Sequence, residues 1–213
     1  KNIYELPKNI LIKEAPIAEP CAVALHAVEL GEKEIIKSIK DIKVLIIGAG
    51  AIGLLCGLIL SKVKNCKDIM IVDPNDKRMK ESLKYLDADG VKPDSKSIIS
   101  DNFDFVLDTV GLEKTRQEAI RSIKPGGVII HIGLTQPSGT FDFRKATLQE
   151  ITFIGTYCYT NKDFEKTLKI LNNKEIGSLS WIEYRELKEG SSAFKDIHNG
   201  TCAAPKIILT VNS

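Results

Sequence analysis

Six consecutive residues, Gly48-Ala49-Gly50-Ala51-Ile52-Gly53, carry the pattern Gly-x-Gly-x-x-Gly. Glycine-rich turns are common, so the pattern alone says little. The chemistry it could perform is the cradling of a pyrophosphate. The first glycine permits a tight turn, the second lets a phosphate approach the backbone, and the third lets a helix pack closely on the preceding strand. Free amides at a helix start, at the positive end of its dipole, then hold the anion. Asp73 stands about 20 positions after Gly53, where an acid accepts hydrogen bonds from both hydroxyls of a ribose and repels a 2′-phosphate. Lying before Pro74, the same carboxylate also reads as a turn or helix-cap residue. Glycine loop and acid together predict dinucleotide binding, with NAD as the cofactor. The main competitor is a methyltransferase-type sheet, which also places an acid after its second strand. Its loop carries an acid just before the glycines, where this chain has Ile46-Ile47.

These residues need a frame. Lys43 to Ile47 is a continuous aliphatic run and reads as a buried strand, and Ile52 to Leu60 as a helix packed on several sides. Asp68 to Val72, Phe103 to Leu107, Val128 to Ile132 and Ile151 to Ile154 read as further strands. Helices are expected over Asp76 to Leu86, Leu112 to Ile123 and Asp163 to Leu171. Another opens at Glu19-Pro20 and ends at Gly31, and Pro125-Gly126-Gly127 reads as a turn. The segment Gly90 to Phe103 has no helical face, so one crossover is expected to be trimmed. Alternating strands and helices mean right-handed crossovers and a parallel sheet covered on both faces. The fold class is therefore α/β, a doubly wound Rossmann sheet.

The remaining chemistry-bearing residues are scattered. Five cysteines form no Cys-x-x-Cys pair, which excludes a structural zinc knuckle, and their odd number fits reduced thiols in a cytoplasmic protein. His26 lies two helical turns after Glu19 and shares its face, but reads as a satisfied core histidine. His131 and His198 have no partner motif. Net charge is +2 and 27% of residues are charged, so charge makes no case for nucleic acid or an anionic membrane. The densest apolar stretch, Val44 to Leu60, is broken by four glycines and is too short to span a bilayer.

Several stretches in order resemble the zinc-type medium-chain dehydrogenase/reductase family, on its sorbitol and butanediol dehydrogenase side. They are Glu19 to His26, Val44 to Gly53, Asp104 to Gly111, Lys124 to Gly127, Ile132 to Leu134, Gly155 to Thr160 and Lys206 to Leu209. The resemblance implies that Arg78 lies against the adenine and that Thr109 and Val110 border the adenosine half. It places Ile132, Gly133, Leu134, Thr156 and Tyr157 near the nicotinamide, and Lys206 at the pyrophosphate. Glu19 matches a position at the catalytic zinc, as ligand or as partner of the bound water; a negative charge favoured at a helix start is the alternative. The family's other zinc ligands lie in an amino-terminal barrel-like domain that is not in this sequence. Cys158 stands where sorbitol dehydrogenases carry an arginine, which weakens a polyol assignment.

The resemblance implies three regions: 1–18 as a lead-in from the substrate domain, 19–156 as the NAD-binding domain, and 157–213 returning to the substrate domain. It also implies hydride transfer between NAD and a secondary alcohol or polyol, zinc in the intact enzyme, and a homodimer or homotetramer. Two alternatives stay open: an NAD(H)-binding sensor without turnover, which would need no Glu19, and a zinc-free quinone reductase relative.

Overall fold

In the computed structural model, residues 3–211 are described. Six parallel strands form the central sheet: β1 (Lys43–Ile47), β2 (Asp68–Val72), β3 (Asp89–Val91), β4 (Phe103–Asp108), β5 (Ile123–His131) and β6 (Thr152–Gly155). Their order is β3-β2-β1-β4-β5-β6. The chain builds outward from β1 to β3, then returns to lay β4 on the other side of β1. This reversal opens a crevice beyond the carboxyl ends of β1 and β4, where ligands bind in open α/β sheets.

The period of two along a strand divides the core. Val44 and Ile46 of β1 pack with Ile69, Ile71, Phe105, Leu107 and Ile130 on one face. Leu45 and Ile47 pack with Met70, Val72, Val106 and Ile129 on the other. Both faces are apolar, which is why the strands read as unbroken aliphatic runs. The first face is covered by α1 (Ala18–Glu34), α2 (Ala51–Leu58) and, after α3 (Asp76–Leu83) and α4 (Glu113–Ser122), by α6 (Asn161–Asn172); the short α5 (Phe143–Leu148) lies between them in sequence. Ala119 and Ile120 of α4 cover the second face. The carboxylate of Asp104 anchors the base of β4, accepting from Lys43 N, Lys37 Nζ and Lys124 Nζ. Burial would raise its pKa, but these three donors outweigh that and hold it below the usual carboxylate range.

Three expectations are corrected. Gly31 does not end α1, which runs on to Glu34. A Cβ at Gly31 would meet the Phe105 ring at 2.3 Å, so this glycine is required by close packing of helix on sheet. Pro125-Gly126-Gly127 is not a free turn. It bulges within β5, where the partners of Phe103 and Phe105 jump from Ile123 to Val128, with Gly126 at φ 69°. The helix after β2 stops at Leu83, capped at its start by Asn75, whose side chain accepts from Lys77 N and Arg78 N. The trimmed crossover is observed: among the described residues no helix lies between β3 and β4.

Beyond α6 the chain forms a second, two-stranded parallel sheet of β7 (Ile182–Glu186) and β8 (Lys206–Thr210), joined through α7 (Gly190–His198). Its Trp181, Ile182 and Ile208 belong to the same apolar cluster as Ile10 and Ile17 near the start of the chain. Among the described residues no helix is long and apolar enough to cross a membrane.

Candidate functional site

The crevice between β1 and β4 is built by the glycine loop. Gly48 follows β1 at φ 106°, and a Cβ there would lie 2.6 Å from Thr109 Oγ1. At Gly53 a Cβ would lie 1.8 Å from Gly48 O, so the loop doubles back directly against the helix. Gly50 differs from both. It is the N-cap of α2, with no side-chain cap, and a Cβ there would meet nothing within 4 Å. The amino end of the helix, with Ala51 and Ile52 in its first turn, therefore faces open space.

Asp73 closes one wall. It is buried; Oδ2 accepts from Ala49 N at 2.9 Å and Oδ1 from Asn75 N at 2.8 Å. Arg78 Nη1 lies 3.6 Å from Oδ2. Asp73 thus binds the glycine loop, the loop after β2 and Arg78 together, as the turn-residue reading expects. Asn75, which the sequence reading passed over, caps α3 and donates through Nδ2 to Gly200 O at 2.9 Å. This bond draws the segment before β8 against the same wall.

The opposite wall is formed where β4 and β5 end. Thr109 Oγ1 donates to Ile47 O at 2.7 Å, tying β4 to β1. Val110 and Gly111 run directly against Gly133: a Cβ on Gly133 would lie 2.0 Å from Val110 C. Ile132 is buried beside them, Leu134 is exposed, and Thr156 N donates to His131 O at 3.0 Å. The hydroxyl of Thr156 is buried without a hydrogen-bond partner among the described residues, and Tyr157 is exposed. The structure thus brings together Gly48 to Gly53, Asp73, Arg78, Thr109 and Val110, with Ile132, Gly133 and Thr156 along the adjoining strand ends.

Lys206 and Glu19 are positioned by other elements. Lys206 begins β8, paired in register with Ile182 and half-buried. Glu19 is exposed in the first turn of α1. Burial first, and then the charge of Glu19, push the Tyr159 phenol above its ordinary value, so the two lie within electrostatic reach. Tyr159 stacks on Phe164, which also meets Tyr4. His26 is satisfied as expected: Nδ1 lies 2.8 Å from Asp163 Oδ2. Burial raises the Asp163 pKa, but hydrogen bonds from Thr160 and His26 hold it below the usual range. The expectation for His131 is corrected, since its Nδ1 lies 3.1 Å from Asp108 Oδ2.

The open cradle at Gly50 and the uncapped helix start fit a dinucleotide. Zinc is a different case. Among the described residues no group of three or more His, Cys, Asp or Glu is placed to hold a metal ion, and a catalytic zinc takes about three protein ligands. These residues do not by themselves fit a zinc centre.

Comparisons with known proteins agree with this geometry. Residues 51–173 match the family described as zinc-binding dehydrogenase. The chain is 26% identical over 207 residues to the D-xylulose reductase of Saccharomyces cerevisiae, covering 91% of this chain and 56% of that protein. It is 29% identical over 240 residues to the same yeast's "Probable diacetyl reductase 2, (R)-acetoin forming", covering 99% of this chain and 53% of the relative. The chain thus spans a little over half the length of these curated relatives. Acetophenone reductase from Geotrichum candidum, solved with NAD, superposes with a TM-score of 0.84 at 20% identity, over 98% of this chain and 58% of the other. That last likeness is one of fold.

Proposed function

This chain belongs to the zinc-binding dehydrogenase family, and from that membership we propose that it holds NAD for reversible hydride transfer to and from a secondary alcohol or polyol. One observation carries the reading: the uncapped start of α2 faces open space at Gly50, and buried Asp73 forms the neighbouring wall. In this reading Gly48, Gly50, Ala51, Ile52 and Gly53 present the backbone to the pyrophosphate, with Lys206 as its counter-charge. Asp73 takes the ribose hydroxyls, and Arg78 lies against the adenine. Thr109 and Val110 border the adenosine half. Ile132, Gly133, Leu134, Thr156 and Tyr157 orient the ring so that one face meets the substrate carbon. NAD, when bound, supplies the hydride acceptor. Glu19 is proposed to contribute at the zinc position of the intact enzyme. The lead-in 1–18 and the segment 157–213 are proposed to belong to its substrate domain.

Cofactor choice tests the reading. Isothermal titration with NADH and NADPH is expected to give tighter binding of NADH, because the Asp73 carboxylate repels a 2′-phosphate. Asp73→Ser is expected to narrow the gap. Equal or tighter NADPH binding by the unaltered chain would overturn the assignment.

A homodimer or homotetramer is also proposed. Strand β6 lies at the edge of the sheet, and its Phe153 is exposed, as are Leu134 and Phe143 nearby in the fold. An apolar edge of this kind invites pairing with a second copy about a two-fold axis. Sedimentation at micromolar concentration is expected to show the dimer or tetramer, and only monomer would count against it.

A further inference from the structure

Asp108 is fully buried at the end of β4 and faces His131 across the sheet as its register partner in β5. Its carboxylate accepts from four donors. Oδ1 takes Val110 N at 3.1 Å and Gly111 N at 2.9 Å, and Oδ2 takes Thr115 Oγ1 and His131 Nδ1, each at 3.1 Å. The Asp108 carbonyl accepts in turn from Ile132 N and Gly133 N. One residue therefore holds both segments that meet at Val110-Gly111 and Gly133. With the carboxylate ionised and only accepting, the bond is that of the Nδ1–H tautomer of His131. His131 extends the network: its carbonyl accepts from Thr156 N, and its ring stacks on Phe153 of β6 with centroids 5.8 Å apart.

We propose that Asp108 and His131 are positioning residues for the nicotinamide end of the cofactor. The proposal rests on the cofactor reading above. Neither side chain needs to touch the cofactor. Their bond fixes the spacing between segment 109–111 and segment 132–134, with Thr156 attached to the second. Losing the His131 donor would leave the buried Oδ2 with Thr115 alone, and a buried acceptor deprived of a partner is costly enough to move the backbone that holds it. The displacement would fall on segment 132–134 and Thr156, at the ring end of the cleft, because segment 109–111 stays tied to β1 by Thr109 on Ile47 O and to Asp108 Oδ1 by Val110 N and Gly111 N. The adenosine end is held independently, by Asp73 on Ala49 N and Asn75 N.

That separation defines the experiment. NADH and ADP-ribose, which lacks the nicotinamide, are each titrated into the unaltered chain and into His131→Ala, His131→Asn and Asp108→Asn. In His131→Ala, NADH affinity is expected to fall roughly tenfold, the scale of one buried hydrogen bond to a charged group, while ADP-ribose affinity stays within about twofold. His131→Asn, whose amide can donate to Oδ2, should restore most of the NADH affinity. The fluorescence of bound NADH should shift in His131→Ala and return in His131→Asn. Parallel losses of NADH and ADP-ribose, or unchanged NADH affinity in His131→Ala, would overturn the proposal even if Asp108→Asn fails to fold. Failure of the unaltered chain to bind either ligand would instead overturn the cofactor reading itself, and this proposal with it.

Discussion

Gly50→Val is expected to weaken NADH binding by about a hundredfold or more, the scale of losing one or two hydrogen bonds to a charged phosphate, while leaving the chain folded. The backbone at Gly50 is extended, at φ −73° and ψ −172°, which a β-branched residue adopts without strain. A Cβ there meets no protein atom within 4 Å, so the added side chain enters the space proposed for the pyrophosphate. Its cost in stability is that of a poorer helix cap, about 1 kcal/mol. Gly53→Ala is the contrasting case. One methyl group there would stand 1.8 Å from Gly48 O, and backbone cannot move away as a flexible side chain can. About 3 kcal/mol or more of destabilisation is expected. Thermal melting and NADH titration on both variants separate the two effects. A Gly50→Val chain that melts as early as Gly53→Ala, or binds NADH normally, would contradict the assignment of open space to the cofactor.

The second large effect concerns turnover. The chain is expected to bind NADH yet produce none from secondary alcohols, with or without added zinc. Its described residues offer no group of three metal donors, against the roughly three that a catalytic zinc requires. Glu19→Ala in this chain is expected to leave NADH affinity unchanged, because Glu19, exposed on the first turn of α1 within electrostatic reach of Tyr159, is proposed to act at the zinc position and not on the cofactor. In an intact enzyme the same change should lower the rate of alcohol oxidation while sparing cofactor affinity. Steady-state absorbance of NADH measures both. Zinc-dependent NADH formation by this chain alone would place the chemistry elsewhere than proposed.

The parts of the fold legible in the sequence are those where one local pattern decides the outcome. Val44 to Ile47 is buried on both faces, so its unbroken aliphatic run reads as an inner strand, and in that context the glycines after it read as the opening of a helix against it. The second sheet was not legible. β7 reads Ile-Glu-Tyr-Arg-Glu, with one buried position, and its pairing with β8 depends on a helix between them. Gly31 looked like a helix end because what makes it glycine is the Phe105 ring, far away in sequence. Asp108 and His131 are separated by 23 positions and meet only through strand register. No spacing rule announces that pair. Asn75 could have been found, since an asparagine two positions after Asp73 and directly before a helix is a natural cap.

The central claim is that the crevice beyond β1 and β4 takes a dinucleotide, and calorimetric titration of the unaltered chain with NADH tests it most directly. The account predicts saturable binding of one NADH per chain, with a dissociation constant on the order of micromolar, about −8 kcal/mol, displaced by ADP-ribose. Absence of saturable binding up to about 1 mM, a level corresponding to only about −4 kcal/mol, in a chain shown to be folded by its melting transition, would contradict it.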